Sequence, residues 1–305
     1  MADITAAMVK ELREMTGAGM MDCKKALNET NGDMDEAVEF LRKSGAAKAE
    51  KKASRIAAEG ICRVAMVENK KAVVAEVNSE TDFVAKNEVF QEFVQAVADT
   101  ALATGLAGGK DGQDVETLLD KDGLRDLVVE KTAKIGEKLS VRRFERVEGD
   151  CVVSYLHGGG RIGVLVSAKC ANVTAEVKEA LQNIAMQVAA LSPKFISQKD
   201  VDQAFLEKEK EIIRAQIEND PKEASKPDKV KDGMVMGRIN KEMKEFCLLN
   251  QVYVRAEDGK QSVAKYLESV DKDLAIDKFV RFEVGEGMEK KNEDFAAEVA
   301  AQMNG

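Results

Sequence analysis

The chain contains no tryptophan, a single histidine and three prolines in 305 residues. With His157 alone, a histidine-built metal centre or a histidine-dependent nucleophilic triad has nothing to assemble from. Cysteine is sparse as well. Cys23, Cys62, Cys151, Cys170 and Cys247 are odd in number, far apart and free of C-x-x-C pairs. That spacing argues against a disulfide framework or a zinc ribbon and fits reduced, buried thiols in a cytosolic protein. No apolar run approaches the ~18 residues of a membrane span. The first residues, with Asp3, Lys10, Glu11 and Arg13, carry no signal-peptide core, so the expected compartment is the cytoplasm. A G-x-x-x-x-G-K-[ST] nucleotide loop is missing too. Basic charge is in deficit: the net charge is −9 and the pI about 5.1. Nucleic acid as main partner would need the opposite, a basic surface that neutralises phosphates.

What is present is a charged, globular composition long enough for two or three domains. Ile4, Met8, Val9 and Leu12 fall at helical spacing, and Gly17-Ala18-Gly19 stops that helix. A second helix is expected from about Met21 to Asn28. A third carries Met34, Ala37, Val38 and Leu41, opens on Asp33 with Glu36 as a capping box and ends near Gly45. Residues 1–55 thus read as a small three-helix docking module followed by a solvated linker or exposed helix.

Residues 56–148 read as the first half of an α+β core. Ile61, Val64, Met66 and Val67, a polar turn, then Val73, Val74, Ala75 and Val77 predict a β-hairpin. A helix with Phe90, Phe93, Val94 and Val97 follows, then a glycine-rich loop over 105–112. Another helix is expected to Ile135 with Gly136 as its cap, and then a strand from Val141 to Val147. The order recurs in a second half, residues 149–200 and 246–272, with hairpin strands Cys151–Leu156 and Ile162–Ala168. A helix through Val177–Val188 and a strand from Gln251 to Arg255 complete it. Inside that half, residues 201–245 predict a projecting αα-hairpin, two charged helices around a proline-punctuated turn. Residues 273–305 read as a C-terminal module with a strand from Ile276 to Val284 and a terminal helix striped by Phe295, Ala296 and Val299.

Gly158, Gly160 and Gly163 satisfy G-x-G-x-x-G, but the dinucleotide fingerprint must run from strand into helix. Here Ile162 to Val166 continues as a strand, so a hairpin turn is the expectation and no cofactor is expected. No pair among the many carboxylates stands out as general acid and base, and no metal ligands gather. Met234, Met236 and Met243 read as core. His157 reads as an ordinary residue at the rim of its turn.

The centre of the chain is Thr81-Asp82-Phe83-Val84-Ala85-Lys86-Asn87, which follows an apolar run and opens a long amphipathic helix. Such corners are where a rigid scaffold displays side chains. By residue type alone, Asp82 or Thr81 caps the helix and Phe83 enters the core.

These seven residues closely resemble the signature of the elongation factor Ts family, guanine-nucleotide exchange factors for elongation factor Tu. Thr16 to Leu27 (TGAGMMDCKKAL), His157 to Val164 (HGGGRIGV), and Arg281 to Gly287 followed by Asp294 to Ala300 resemble further family segments in the same order. Asn87 stands where the family often has Asp. The resemblance implies a UBA-like N-terminal bundle and an exchange factor without covalent chemistry, cofactor or metal of its own. It implies that Thr81, Asp82, Phe83 and Val84 dislocate Mg²⁺ in elongation factor Tu. It also implies further contacts through Leu12, Lys86, Ile135, Gly136, His157, Val254 and Phe295. No direct nucleic acid or membrane partner is implied, and a dimer of heterodimers is one assembly it allows. An adaptor or chaperone for a GTPase, without exchange activity, is the alternative.

Overall fold

A computed structural model describes residues 4–289. In chain order, the N-terminal bundle is α1 (Ala6–Thr16), α2 (Met20–Glu29) and α3 (Met34–Lys52). Thr5 caps α1 by accepting from the Met8 N–H, Gly17 ends it in the left-handed region, and Asp33 caps α3 by accepting from the Glu36 N–H. Val9, Leu12, Cys23, Ala26, Leu27 and Ala37 form the bundle's core. The third helix does not stop at Gly45. At Gly45 the helix packs on a later one, where an added Cβ would sit in ordinary contact with Ala133 (3.5 Å) and Val129 (3.9 Å), and the helix-forming Ala/Lys/Glu residues carry it on to Lys52.

The first half of the core is β1 (Glu59–Val67), β2 (Lys71–Ser79), α4 (Asp82–Ala85), α5 (Glu88–Thr104), β3 (Gly108–Gly109), α6 (Val115–Leu119), α7 (Leu124–Ile135) and β4 (Ser140–Glu148). The second is β5 (Cys151–His157), β6 (Ile162–Lys169) and α8 (Ala175–Leu191). It continues through the hairpin helices α9 (Gln203–Asn219), α10 (Pro221–Ala224) and α11 (Asp228–Phe246), then α12 (Val263–Val270) and β7 (Ala275–Glu283). The expected terminal helix with Phe295 lies outside the described residues. Both sheets are antiparallel, in the orders β1-β2-β4-β3 and β5-β6-β7.

The halves are alike beyond element order. In each, the returning strand pairs with the second strand of the hairpin, and each pairing shifts register at one place: Glu76/Val77 in β2, Ser167/Ala168 in β6. The fold is α+β with two similar halves, as expected. The returning strand of the second half is β7, however. Residues 251–255, which alternate like a strand, make only an isolated bridge from Val252 to Ser262 and turn back at Ala256, whose N–H donates to Tyr253 O. The buried Gln187 amide satisfies this turn, donating to Val252 O and accepting from the Val254 N–H.

Alternation along the strands builds four layers. Val73, Ala75 and Val77 of β2 face α5, whose Phe90, Phe93, Val94 and Val97 complete that core. Ala72 and Val74 face the other sheet, meeting Val152, Leu165, Val280 and Phe282. Val153, Val164, Val166 and Ala168 face α8. The sequence is therefore α5, first sheet, second sheet, α8. Gly163 sits where the sheets approach closely: an added Cβ would lie 2.8 Å from Cys62 Cβ and from Val74 Cγ2. That is why the G-x-G-x-x-G spacing occurs here: Gly158 and Gly160 take positive φ in the turn, an added Cβ on Gly160 would lie 2.7 Å from Cys62 O, and Gly163 admits the facing sheet. Buried between the sheets, the Glu76 carboxylate accepts from Arg143 Nε (2.5 Å), Arg142 Nη1 (2.9 Å) and Gly285 N (2.9 Å). A buried charge persists only when paired and hydrogen-bonded in this way.

The helical hairpin is an inserted unit with its own core of Ile213, Ile217, Val235, Ile239 and Met243. Met243 is core as expected, whereas Met236 is exposed. At its root the chain closes on itself: Lys194 and Phe195 N–H donate to Phe246 O, and Leu248 N–H donates to Phe195 O. All five cysteines are free and buried, and burial raises each thiol pKa.

Candidate functional site

The corner after β2 is built differently from a single capped helix. Thr81 opens the short α4 without a side-chain cap bond, the chain breaks at Lys86, and Asn87 starts α5 by accepting from Val89 N (2.9 Å) and Phe90 N (3.4 Å). Asn87 thus does the capping expected of Asp82 or Thr81. Gln91 ties the break shut from above, donating to Ala85 O.

Val84 turns inward to the core of the first half, and Phe83 turns outward. Phe83 is 79% exposed, whereas Phe90 and Phe93, further on in α5, are 0% and 1% exposed. Residue type argues for burying all three; only the corner's geometry separates them. Asp82 and Lys86 flank the ring as an exposed ion pair of 2.8 Å, with Lys86 Nζ 5.7 Å from the Phe83 centroid. The hydrogen bond from Lys86 holds the Asp82 carboxyl below its usual range. Beside them, Phe83, Val84, Asn87, Val89, Lys134 and Ile135 line a shallow open groove of about 350 Å³.

Two carboxylates that sequence reasoning passed over hold this corner. Glu137 accepts from the backbone N–H groups of Glu80 and Thr81 (both 3.0 Å) and from the Thr81 hydroxyl (2.7 Å). In return Glu80 accepts from the Lys138 N–H (2.6 Å) and pairs with Arg55 (3.2 Å). Lys52 donates to Gly136 O and Lys138 to Arg55 O, so the end of α3 is tied into the same knot. Burial and the neighbouring Arg55 push the Lys52 amine down from its usual pKa. The available signal was position: Glu80 directly precedes the Thr81–Asn87 stretch, and Glu137 directly follows Ile135-Gly136.

The other expected contact residues are spread out. Ile135, half-buried, and Gly136, exposed, lie beside the groove. Leu12 is 0% exposed, so its part is to hold α1 in the bundle. His157 is exposed at the end of β5, its Nδ1 3.1 Å from the Tyr155 hydroxyl. Val254 is 51% exposed on the turn held by Gln187. Among the described residues no cluster of histidine, cysteine and carboxylates could hold a metal ion, and no helix is long and apolar enough to cross a membrane.

Comparison with known proteins first gives the class. A family model described as elongation factor TS matches residues 80–286. The elongation factor Ts of Clostridium perfringens (strain 13 / Type A) is 52% identical, covering 97% of this chain and 98% of that protein. Those of Clostridioides difficile (strain 630) and Clostridium novyi (strain NT) are 49% and 48% identical, each covering 99% of this chain and 100% and 99% of theirs. These are translation elongation factors, proteins of protein biosynthesis. Within that class the chain belongs to the elongation factor Ts family.

Proposed function

We propose that the chain binds elongation factor Tu in its GDP form in the cytoplasm and speeds GDP release, so that GTP can rebind. The observation that carries this is an aromatic left 79% exposed on a corner clamped from both sides. Folding normally removes such a ring from water, and one held rigidly in solvent is an anchor awaiting a pocket. Phe83 enters the GTPase beside its nucleotide site, Asp82 and Lys86 bring charge to the rim, and the displacement disturbs the Mg²⁺ and phosphate-binding loop. Ile135 and Gly136 widen the same contact. His157 and Val254 are the exposed groups of the second half, suited to a separate contact on the partner. Leu12 acts through the packing of the bundle. No covalent bond is made or broken.

Magnitudes require several contacts. A nucleotide bound at about nanomolar affinity is held by about 12 kcal/mol. Release accelerated ~10⁴-fold needs a barrier lower by about 5.5 kcal/mol. Burying one Phe contributes only about 1.5–3 kcal/mol, so docking at distant points must supply the rest. The coupling is reciprocal: GDP weakens the grip of this chain on the GTPase by the same factor that the chain weakens GDP.

The test is release of a fluorescent GDP analogue from elongation factor Tu with and without the chain. Since the chain has no tryptophan, any tryptophan signal comes from the partner. A stable complex with unaccelerated release would reject exchange in favour of an adaptor.

A further inference from the structure

The pair Glu80 and Glu137 performs no chemistry and lies off the exposed face, yet each spends its carboxylate on the other's loop. Glu137 takes up the two N–H groups where β2 leaves the sheet, together with the Thr81 hydroxyl. Glu80 takes up the N–H of Lys138, where the chain leaves α7 for β4. Charge-assisted bonds of this kind are the strong ones, and here they cross. Neither loop shifts without breaking the other's bonds. Arg55 on Glu80, Lys138 on Arg55 O and Lys52 on Gly136 O extend the knot to the end of α3. Phe83 lies two residues beyond the clamped Thr81 and has almost no packing of its own to fix its direction.

We infer that Glu80 and Glu137 are positioning residues that lock the corner in the pose presenting Phe83, an assignment that rests on the exchange function proposed above. In the locked chain nearly every encounter meets a competent ring. With the clamp cut, the corner samples several poses and only a fraction is competent. Apparent affinity falls by that fraction, while a complex once formed is the same. Phe83 itself acts in the complex, so its loss lowers the maximal rate.

The experiment has two arms on the full-length chain. In the first, Phe83→Trp supplies the chain's single tryptophan, and time-resolved anisotropy reports its nanosecond motion with and without Glu137→Ala. The clamp requires a larger-amplitude local motion in the double variant. In the second, GDP release from the proposed GTPase partner is measured against factor concentration. For Glu137→Ala the half-saturating concentration should rise about 10- to 100-fold, as for a competent fraction of roughly 1–10%, with the maximal rate within about twofold. Glu137→Gln, which keeps an acceptor oxygen, should recover part of the loss, and it substitutes for the alanine variant if that one melts early. An unchanged anisotropy decay overturns the inference, and so does a lowered maximal rate at unchanged half-saturation. Normal exchange by Phe83→Ala would instead reject the proposed use of Phe83, while the anisotropy arm still judges the clamp.

Discussion

Replacing Phe83 by alanine separates a ring displayed for a partner from a ring that holds the fold. At 79% exposure about a fifth of its surface is covered. Full burial of such a side chain is worth about 1.5–3 kcal/mol, so truncation should cost about 0.3–0.6 kcal/mol of stability. Phe90, fully buried in the core of the first half, is the internal reference. Its truncation leaves a cavity and should cost about 3–5 kcal/mol. The shift is about 2–4 °C per kcal/mol for chains of roughly 150–250 residues and no larger for a longer one, so Phe83→Ala should lower the melting temperature by no more than about 2 °C. Phe90→Ala should lower it several times more, in proportion to its larger cost. In exchange the order reverses. Phe83→Ala forfeits the burial that the ring gains only in the complex, about 1.5–3 kcal/mol, which is roughly a 10- to 150-fold slower catalysed release. Calorimetry and stopped-flow release on the two variants suffice. A melting shift for Phe83→Ala comparable with that of Phe90→Ala, or exchange at the parental rate, would refute the reasoning.

Three other outcomes are expected. Because the root at 194–196 and 246–249 is closed by its own hydrogen bonds, replacing residues 201–245 by a short Gly/Ser linker should leave one cooperative unfolding transition; a molten product would refute this. In α11, burial and then Glu209 and Glu245 raise the Glu242 pKa, and one of its oxygens has no partner. A raised pKa means stability that is full below the unfolded value near 4.3 and is lost as pH rises through the folded value. Glu242→Gln should therefore protect the hairpin from proteolysis at pH 7 and make no difference near pH 4, and equal protection at both would contradict this. With a net charge of −9 the chain should show no appreciable binding to tRNA in a mobility assay at physiological salt.

Much of the fold was legible because its strands carry both cues at once. Val73, Val74, Ala75 and Val77 are β-formers, and they are near-continuous because β2 is covered on both faces. Where local pattern misled, a distant residue had taken over the backbone's hydrogen bonds. Val252, Tyr253 and Val254 alternate like a strand, but Gln187 satisfies them as a turn. Gly45 reads as a helix stop, yet it lies inside α3, buried against Ala133. Gly108 and Gly109 read as loop and form a two-residue edge strand, where an added Cβ on Gly108 would strike Phe144 O. At the site, the exposure of Phe83 was invisible to residue type, since an aromatic beside an amphipathic helix is ordinarily core. The stretch that contains it was visible as a motif. The Glu80–Glu137 knot was not, because the two lie 57 residues apart and meet only through the geometry of two loops.

The layering has a consequence for the growing chain on the ribosome. Residues up to Glu148 contain both strands of the first hairpin, α5 and β4, so one face of the first sheet can be covered as soon as they emerge. The other face, with Ala72, Val74 and Val147, finds its cover in Val152, Leu165, Val280, Phe282 and Val284. Three of those five, Val280 and Phe282 on β7 and Val284 just after it, are translated after the others. At the ~5–20 residues per second of synthesis, the more than one hundred residues between β6 and β7 take several seconds to appear. For that interval the half-built core presents an apolar sheet face to the cell. The glutamate at its centre, Glu76, meanwhile lacks the Gly285 N–H that later caps it. Until β7 is made, that face has only part of its cover.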